Sequence, residues 1–114
     1  MKQPGTMHAL TTRDDLEAAL REPAAVLLKH STRCPISAAA LEQITQLRAQ
    51  HPGVPVYLVD VNEQRGLSDE VAERLGAAHN SPQAFVLAHG VPVWQASHYS
   101  IRDPKLAEEV AGVG

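Results

Sequence analysis

The chain has one cysteine, Cys34, set in the segment Thr32-Arg33-Cys34-Pro35-Ile36-Ser37. An apolar run ends just before this segment and helical spacing starts just after it, so Cys34 should stand at a strand-to-helix turn. A sulfur in that place faces the first N–H groups of the helix and the positive end of its dipole. Both stabilise a thiolate, and helix N-termini or nearby cations lower a cysteine pKa from ~8.5 to anywhere between about 3.5 and 7.5. Arg33 is a candidate cation, and the hydroxyls of Thr32 and Ser37 are candidate hydrogen-bond donors. Lone cysteines are commonly buried and inert. A turn beside Pro35, among Ser, Thr and Arg, argues for a reactive one instead.

The absence of a second cysteine restricts the chemistry. Ser37 occupies the place where a C-x-x-C redox motif has its other sulfur. A serine cannot resolve a mixed disulfide, so an adduct on Cys34 needs an outside thiol to remove it. One cysteine also cannot make an internal disulfide or a multi-cysteine metal site. The histidines His8, His51, His79 and His89 show no metal-ligand spacing, and His30 suits packing near Cys34.

The surrounding elements follow from the hydropathy pattern. Residues 7–10 suit a short strand. Thr12 with Asp15 forms a capping pair for a helix carrying Leu16, Ala19 and Leu20, which Pro23 stops. Residues 24–28, continuously apolar, read as a strand buried on both faces that leads into Lys29 and His30. The next helix starts at Pro35, favoured at a first helical turn, with Ala38, Leu41, Ile44, Thr45 and Leu47 near one face. It ends at His51-Pro52-Gly53. Residues 54–61 are a further buried strand. Residues 67–75 are a helix capped by Ser68, with Asp69 and Glu70 in its first turn and Gly76 beyond its end. Residues 83–88 and 91–96 flank His89-Gly90 as a hairpin, and Pro92 implies an edge strand. Asp103 caps a last helix that begins at Pro104.

The resulting order is β-α-β-α-β-α-β-β-α in one domain, residues 1–114. It implies an α/β fold: a mixed five-stranded sheet with helices on both faces. This order resembles the thioredoxin fold. In that fold a cis-proline precedes the hairpin and lies against the active-site cysteine, which singles out Ser81-Pro82. The second hairpin strand returns to the same edge of the sheet. Its end, Ala96-Ser97-His98-Tyr99, is therefore expected near Pro82 and Cys34. There His98 could serve as a proton donor, a cation near the thiolate or a contact for a thiol ligand.

The segment Lys29-His30-Ser31-Thr32-Arg33-Cys34-Pro35-Ile36-Ser37 resembles the active-site stretch of the monothiol bacilliredoxins, the YtxJ-like proteins of the bacillithiol system. Ser81-Pro82-Gln83-Ala84, the hairpin around Gly90, and Trp94-Gln95-Ala96-Ser97-His98 agree with it. The resemblance spans nearly the whole chain and is least distinctive at 5–23 and in the last helix. It implies a thiol-disulfide oxidoreductase that removes bacillithiol from protein mixed disulfides. Cys34 would be the nucleophile. Thr32, Arg33, Pro35, Ser37, Ser81, Pro82, Ser97 and His98 would be the substrate-contact set. Bacillithiol would be a co-substrate, with no bound cofactor or metal. Bacillithiolated client proteins and a reductase would be the partners. A monothiol glutaredoxin-like protein, an iron–sulfur cluster carrier with one cysteine from each of two chains, and a non-catalytic redox sensor are the alternatives.

Composition bounds the remaining classes. The apolar fraction of 44% supplies a core, built from aliphatic residues because Phe85, Trp94, Tyr57 and Tyr99 are the only aromatics. The net charge is -3 and the 10 basic residues are scattered, which argues against nucleic acid or a membrane surface as partner. No stretch approaches the ~18 apolar residues of a membrane span, and the start of the chain lacks a signal-peptide core. A cytoplasmic monomer is expected.

Overall fold

The computed structural model describes residues 7–78 and 80–113, excepting the side chains of Asp103 and Pro104. The strands are β1 (Met7–Ala9), β2 (Ala24–His30), β3 (Val56–Asp60), β4 (Gln83–Ala88) and β5 (Val91–Ser97). The helices are α1 (Arg13–Arg21), α2 (Pro35–Gln50), α3 (Arg65–Arg74) and α4 (Asp103–Val113), with a 3-10 turn at His98–Ser100. The sheet order is β1-β3-β2-β4-β5. β3 runs parallel to β1 and β2, whereas β4 is antiparallel to β2 and β5. This is the mixed sheet that the element order implies, with β5 on an edge where Pro92 costs no ladder bond.

The two-residue period of a strand builds two cores from one sheet. Ala25 and Leu27 of β2, with Tyr57, Val59, Phe85 and Leu87, face Leu16 and Ala19 of α1 and Val71 of α3. The alternate residues Val26 and Leu28, with Val56, Ala84 and Val86, face Ala40, Ile44 and Leu47 of α2 and Leu106 and Val110 of α4. Because both faces are covered, β2 is apolar without alternation. Lys29 continues the row of Ala25 and Leu27, yet it is 0% exposed. Gln83, opposite Lys29 across the β2–β4 ladder, is 2% exposed.

Local signals place most boundaries. Thr12 caps α1 through a full capping box, its side chain accepting from the Asp15 N–H while the Asp15 carboxylate accepts from the Thr12 N–H. His89 and Gly90 both have positive φ, +50° and +78°, the pairing a tight hairpin turn requires. A Cβ at Gly90 would lie 2.6 Å from the Leu20 carbonyl oxygen, so the hairpin closes tightly on the end of α1.

Three expectations are corrected. Ser68 does not cap α3, because the helix already begins at Arg65. Asp60 turns the chain early: one of its carboxylate oxygens accepts from the N–H groups of Asn62 and Glu63, at 2.8 and 3.1 Å. Ser68 is thereby carried into the helix, fully buried, its hydroxyl without a partner among the described residues. The buried stripe of α2 is Ser37, Ala40, Ile44 and Leu47, while Ala38 and Thr45 are exposed. Small Ala residues throughout 38–40 left the phase of that helix open by one position. Strand β3 begins at Val56 rather than at 54, since Val54 and Pro55 still belong to the turn after α2. The last helix begins at Asp103, and the expected capping side chain lies outside the described residues, as does His79. Among the described residues, no helix is long and apolar enough to cross a membrane.

Candidate active site at Cys34

Strand β2 delivers the chain to the top of the sheet at His30. A short turn through Ser31, Thr32 and Arg33 then sets Cys34 as the N-cap of α2, with Pro35 as the first helical residue. Cys34 is half-buried and its thiol is free. Its φ of -111° and ψ of 124° are extended, as an N-cap requires. The thiol pKa is held below the ordinary cysteine value. The N–H of Ser37 contributes most, then the N–H of Ile36, while partial burial opposes them and the Ser37 hydroxyl adds a smaller pull. The helix terminus thus supplies the donors that a capping carboxylate would otherwise accept from.

Ser37 has a second task. Its hydroxyl oxygen accepts from the Ser31 N–H at 3.0 Å, which ties the first turn of α2 to the end of β2. Ser37 is 2% exposed, so this tie is shielded from water. Ser31 is a junction that sequence reasoning missed. Its hydroxyl accepts from the Asn62 side-chain amide at 2.8 Å and from the Arg33 N–H at 3.3 Å, and its carbonyl accepts from the Cys34 N–H at 3.3 Å. The signal was local: a Ser two residues before Arg33 forms a side-chain turn. The role of Asn62, thirty-one residues away, had no such signal.

The hydrogen bonds that lower the Cys34 pKa come from Ser37 and Ile36, while Arg33, the candidate cation, is the smallest of the charges that lower the Asp60 pKa. Both Arg33 and Thr32 are exposed. Asp60 pairs in register with His30 across β2 and β3. Burial pushes the Asp60 carboxyl up, but the N–H groups of Glu63 and Asn62 and the charges of His30 and Arg33 outweigh it, leaving it below the usual carboxylate range. Burial lowers the pKa of His30, which Asp60 only partly offsets.

The Ser81–Pro82 peptide bond is cis, and Pro82 is buried at the start of β4. The hydroxyl of Ser81 is buried and has no hydrogen-bond partner among the described residues. What Ser81 can offer a substrate is therefore its backbone. Ser97 pairs with Gln83, so the end of β5 does return beside Pro82. Strand β5 ends at Ser97. His98 enters the 3-10 turn with φ of +55°, and its N–H donates to the Pro82 carbonyl at 3.0 Å. That turn packs on α2, the helix that Cys34 caps. The His98 ring is exposed, at an open groove that Asn80, Gln83, Gln95, Ser97 and Lys105 also line. Among the described residues, no cluster of three or more His, Cys, Asp or Glu side chains is arranged to hold a metal ion.

A thiol of lowered pKa at a helix N-terminus, with no second cysteine in the chain and a cis-proline where β4 meets the end of β2, is equipped for thiol-disulfide exchange. Solved structures share the fold. One, described as an oxidoreductase with a thioredoxin fold, is 34% identical, with a TM-score of 0.84 over 91% of this chain and 93% of that one. A mutant thioredoxin from Halobacterium salinarum is 14% identical, with a TM-score of 0.80 over 99% and 95% of the two chains. Mitochondrial thioredoxin 3 of Saccharomyces cerevisiae is 15% identical, with a TM-score of 0.76 over 93% and 94%. At those lower identities the likeness speaks for the fold. The model of the monothiol bacilliredoxin family, BrxC, matches residues 8–106. The chain is a thioredoxin-fold thiol oxidoreductase and belongs to the monothiol bacilliredoxin family.

Proposed function

We propose that the protein removes bacillithiol from protein mixed disulfides. The observation that carries this reading is the pairing of an activated Cys34 with Ser37 at the resolving position. In the first step the Cys34 thiolate attacks the bacillithiol sulfur of the mixed disulfide. A Cys34–bacillithiol disulfide forms and the client leaves as a thiolate. In the second step a free bacillithiol thiolate attacks the bacillithiol sulfur of that adduct. Bacillithiol disulfide is released and the Cys34 thiolate returns. A reductase must then return the bacillithiol disulfide to the thiol, so the client's two electrons come from outside the protein. A cytoplasmic setting, where small thiols are kept reduced, suits such a cycle.

The residues divide the work. The Ser37 and Ile36 N–H groups hold charge on Cys34 before attack and after release. A lowered pKa also makes Cys34 the better leaving group in the second step. The backbone at Ser81-Pro82 is the surface against which the disulfide lies. Thr32, Arg33 and Pro35 on the Cys34 turn, and Ser97 and His98 at the end of β5, are the residues proposed to contact the substrate.

The test is transfer of bacillithiol from a bacillithiolated client to the protein, followed by intact mass. The expected result is one bacillithiol adduct on Cys34, cleared by free bacillithiol, with no adduct on Cys34→Ser. Undiminished client reduction by Cys34→Ser refutes the mechanism, and clearance by glutathione alone refutes the choice of thiol.

A further inference from the structure

A lysine fully withdrawn from water on a central strand needs a reason, because burying an ammonium is costly unless it is paired and hydrogen-bonded. Lys29 is that lysine. Its Nζ donates to Oε1 of Gln83 at 3.4 Å, and Asp69 draws it electrostatically. An ammonium has donors only, so it can meet the Gln83 amide only at its oxygen. The NH2 end of Gln83 is thereby turned outward, where it donates to Oε1 of Gln95 at 3.4 Å. With its oxygen engaged, Gln95 has its own NH2 left for the groove that it lines together with Ser97 and His98. The row runs from the core to the edge strand: Lys29 on β2, Gln83 on β4, Gln95 on β5.

We propose that Lys29 is a positioning residue that, through Gln83, sets the Gln95 amide so that the groove beside Pro82 presents N–H donors to an anionic oxygen of the substrate. The chemical class selected is a disulfide whose small-thiol half carries a carboxylate. The proposal rests on the reading of Cys34 as the attacking thiol and deepens it by naming what the neighbouring groove prefers. Gln83 makes the relay directional, since an acceptor-only group there would reverse Gln95 and turn its oxygen to the groove.

The experiment measures the rate of Cys34 with two aromatic disulfides, dithiobis-nitrobenzoate, which carries carboxylates, and dithiodipyridine, which carries none. The readout is the ratio of the two rates, which a general loss of stability does not move. Lys29→Met should lower the carboxylate-to-neutral ratio about fivefold, the worth of roughly one hydrogen bond. In a Gln95→Leu background, Lys29→Met should change the ratio no further. A ratio unaffected by Lys29→Met overturns the proposal. So does an effect that persists undiminished in Gln95→Leu, since the charge would then act without the relay. Should Lys29→Met fail to fold, Gln83→Glu keeps a partner for the ammonium and reverses Gln95. It should lower the ratio as well, and an unchanged ratio overturns the proposal equally. Neither probe contains bacillithiol, so a wild-type protein that shows the preference but accepts no bacillithiol would refute the bacillithiol reading alone.

Discussion

His98 is tied to Pro82 through the backbone: its N–H donates to the Pro82 carbonyl at 3.0 Å, while its ring stays exposed. Main chain thus fixes the loop, and the imidazole is left to meet a ligand. His98→Asn removes the ring and keeps a residue that tolerates the positive φ. It should raise KM for the thiol substrate about threefold, within the worth of one hydrogen bond, with kcat unchanged. A large fall in kcat would instead make the ring a proton donor in the reaction.

Ser37 serves both the thiolate and the tie to Ser31. Ser37→Ala should raise the Cys34 pKa, which a shift of the pH profile for iodoacetamide alkylation toward higher pH would reveal. It should also cost about 1–2 kcal/mol in urea unfolding, because the Ser31 N–H loses its acceptor.

Burial lowers the folded-state pKa of His30 below its ordinary 6.5. The unfolded chain therefore binds the proton first as pH falls, and the native state loses stability below about pH 6.5 until the folded-state pKa is reached. Urea midpoints should be lower at about pH 5.5 than at about pH 7.5 in the wild type. Replacing His30 by Gln should flatten that interval. Asp60, whose folded pKa is depressed, adds a further loss at lower pH, below the ordinary carboxylate range.

Gly90→Ala combines a positive φ of +78° with a Cβ 2.6 Å from the Leu20 carbonyl oxygen. A loss of about 2–3 kcal/mol is expected from strain at a special φ and overpacking together. The hairpin lies at the opposite end of β4 from Pro82. Thiol transfer per folded molecule, measured well below the melting temperature, should stay at the wild-type rate.

The fold was legible because its elements advertise themselves locally. Thr12 with Asp15, Pro35, His89-Gly90 and Pro92 each mark a boundary by backbone chemistry, and the unbroken apolar run of β2 marks a centre strand. Cys34 and Ser37 were legible for the same reason, whereas Pro82 was legible only through the resemblance to the thioredoxin fold. What stayed hidden depends on contacts between distant segments. Ser68 looks like a helix cap until Asp60 turns the chain sooner. Ser31 gains its role from Asn62, and Lys29, buried, meets Gln83 across the ladder and the charge of Asp69. Charge and hydroxyl partners of this kind depend on which distant segments the fold brings together.

The bond between the Ser37 hydroxyl and the Ser31 N–H bears on how the protein is recognised. Ser37 accepts in that bond through its hydroxyl oxygen, and the sulfur of Cys34 is not one of its atoms. In the proposed cycle no internal disulfide would form to reshape the turn, so the first turn of α2 would keep one geometry. Client and reducing thiol would then meet the same protein surface, and only the small group carried on Cys34 would tell a loaded molecule from an empty one.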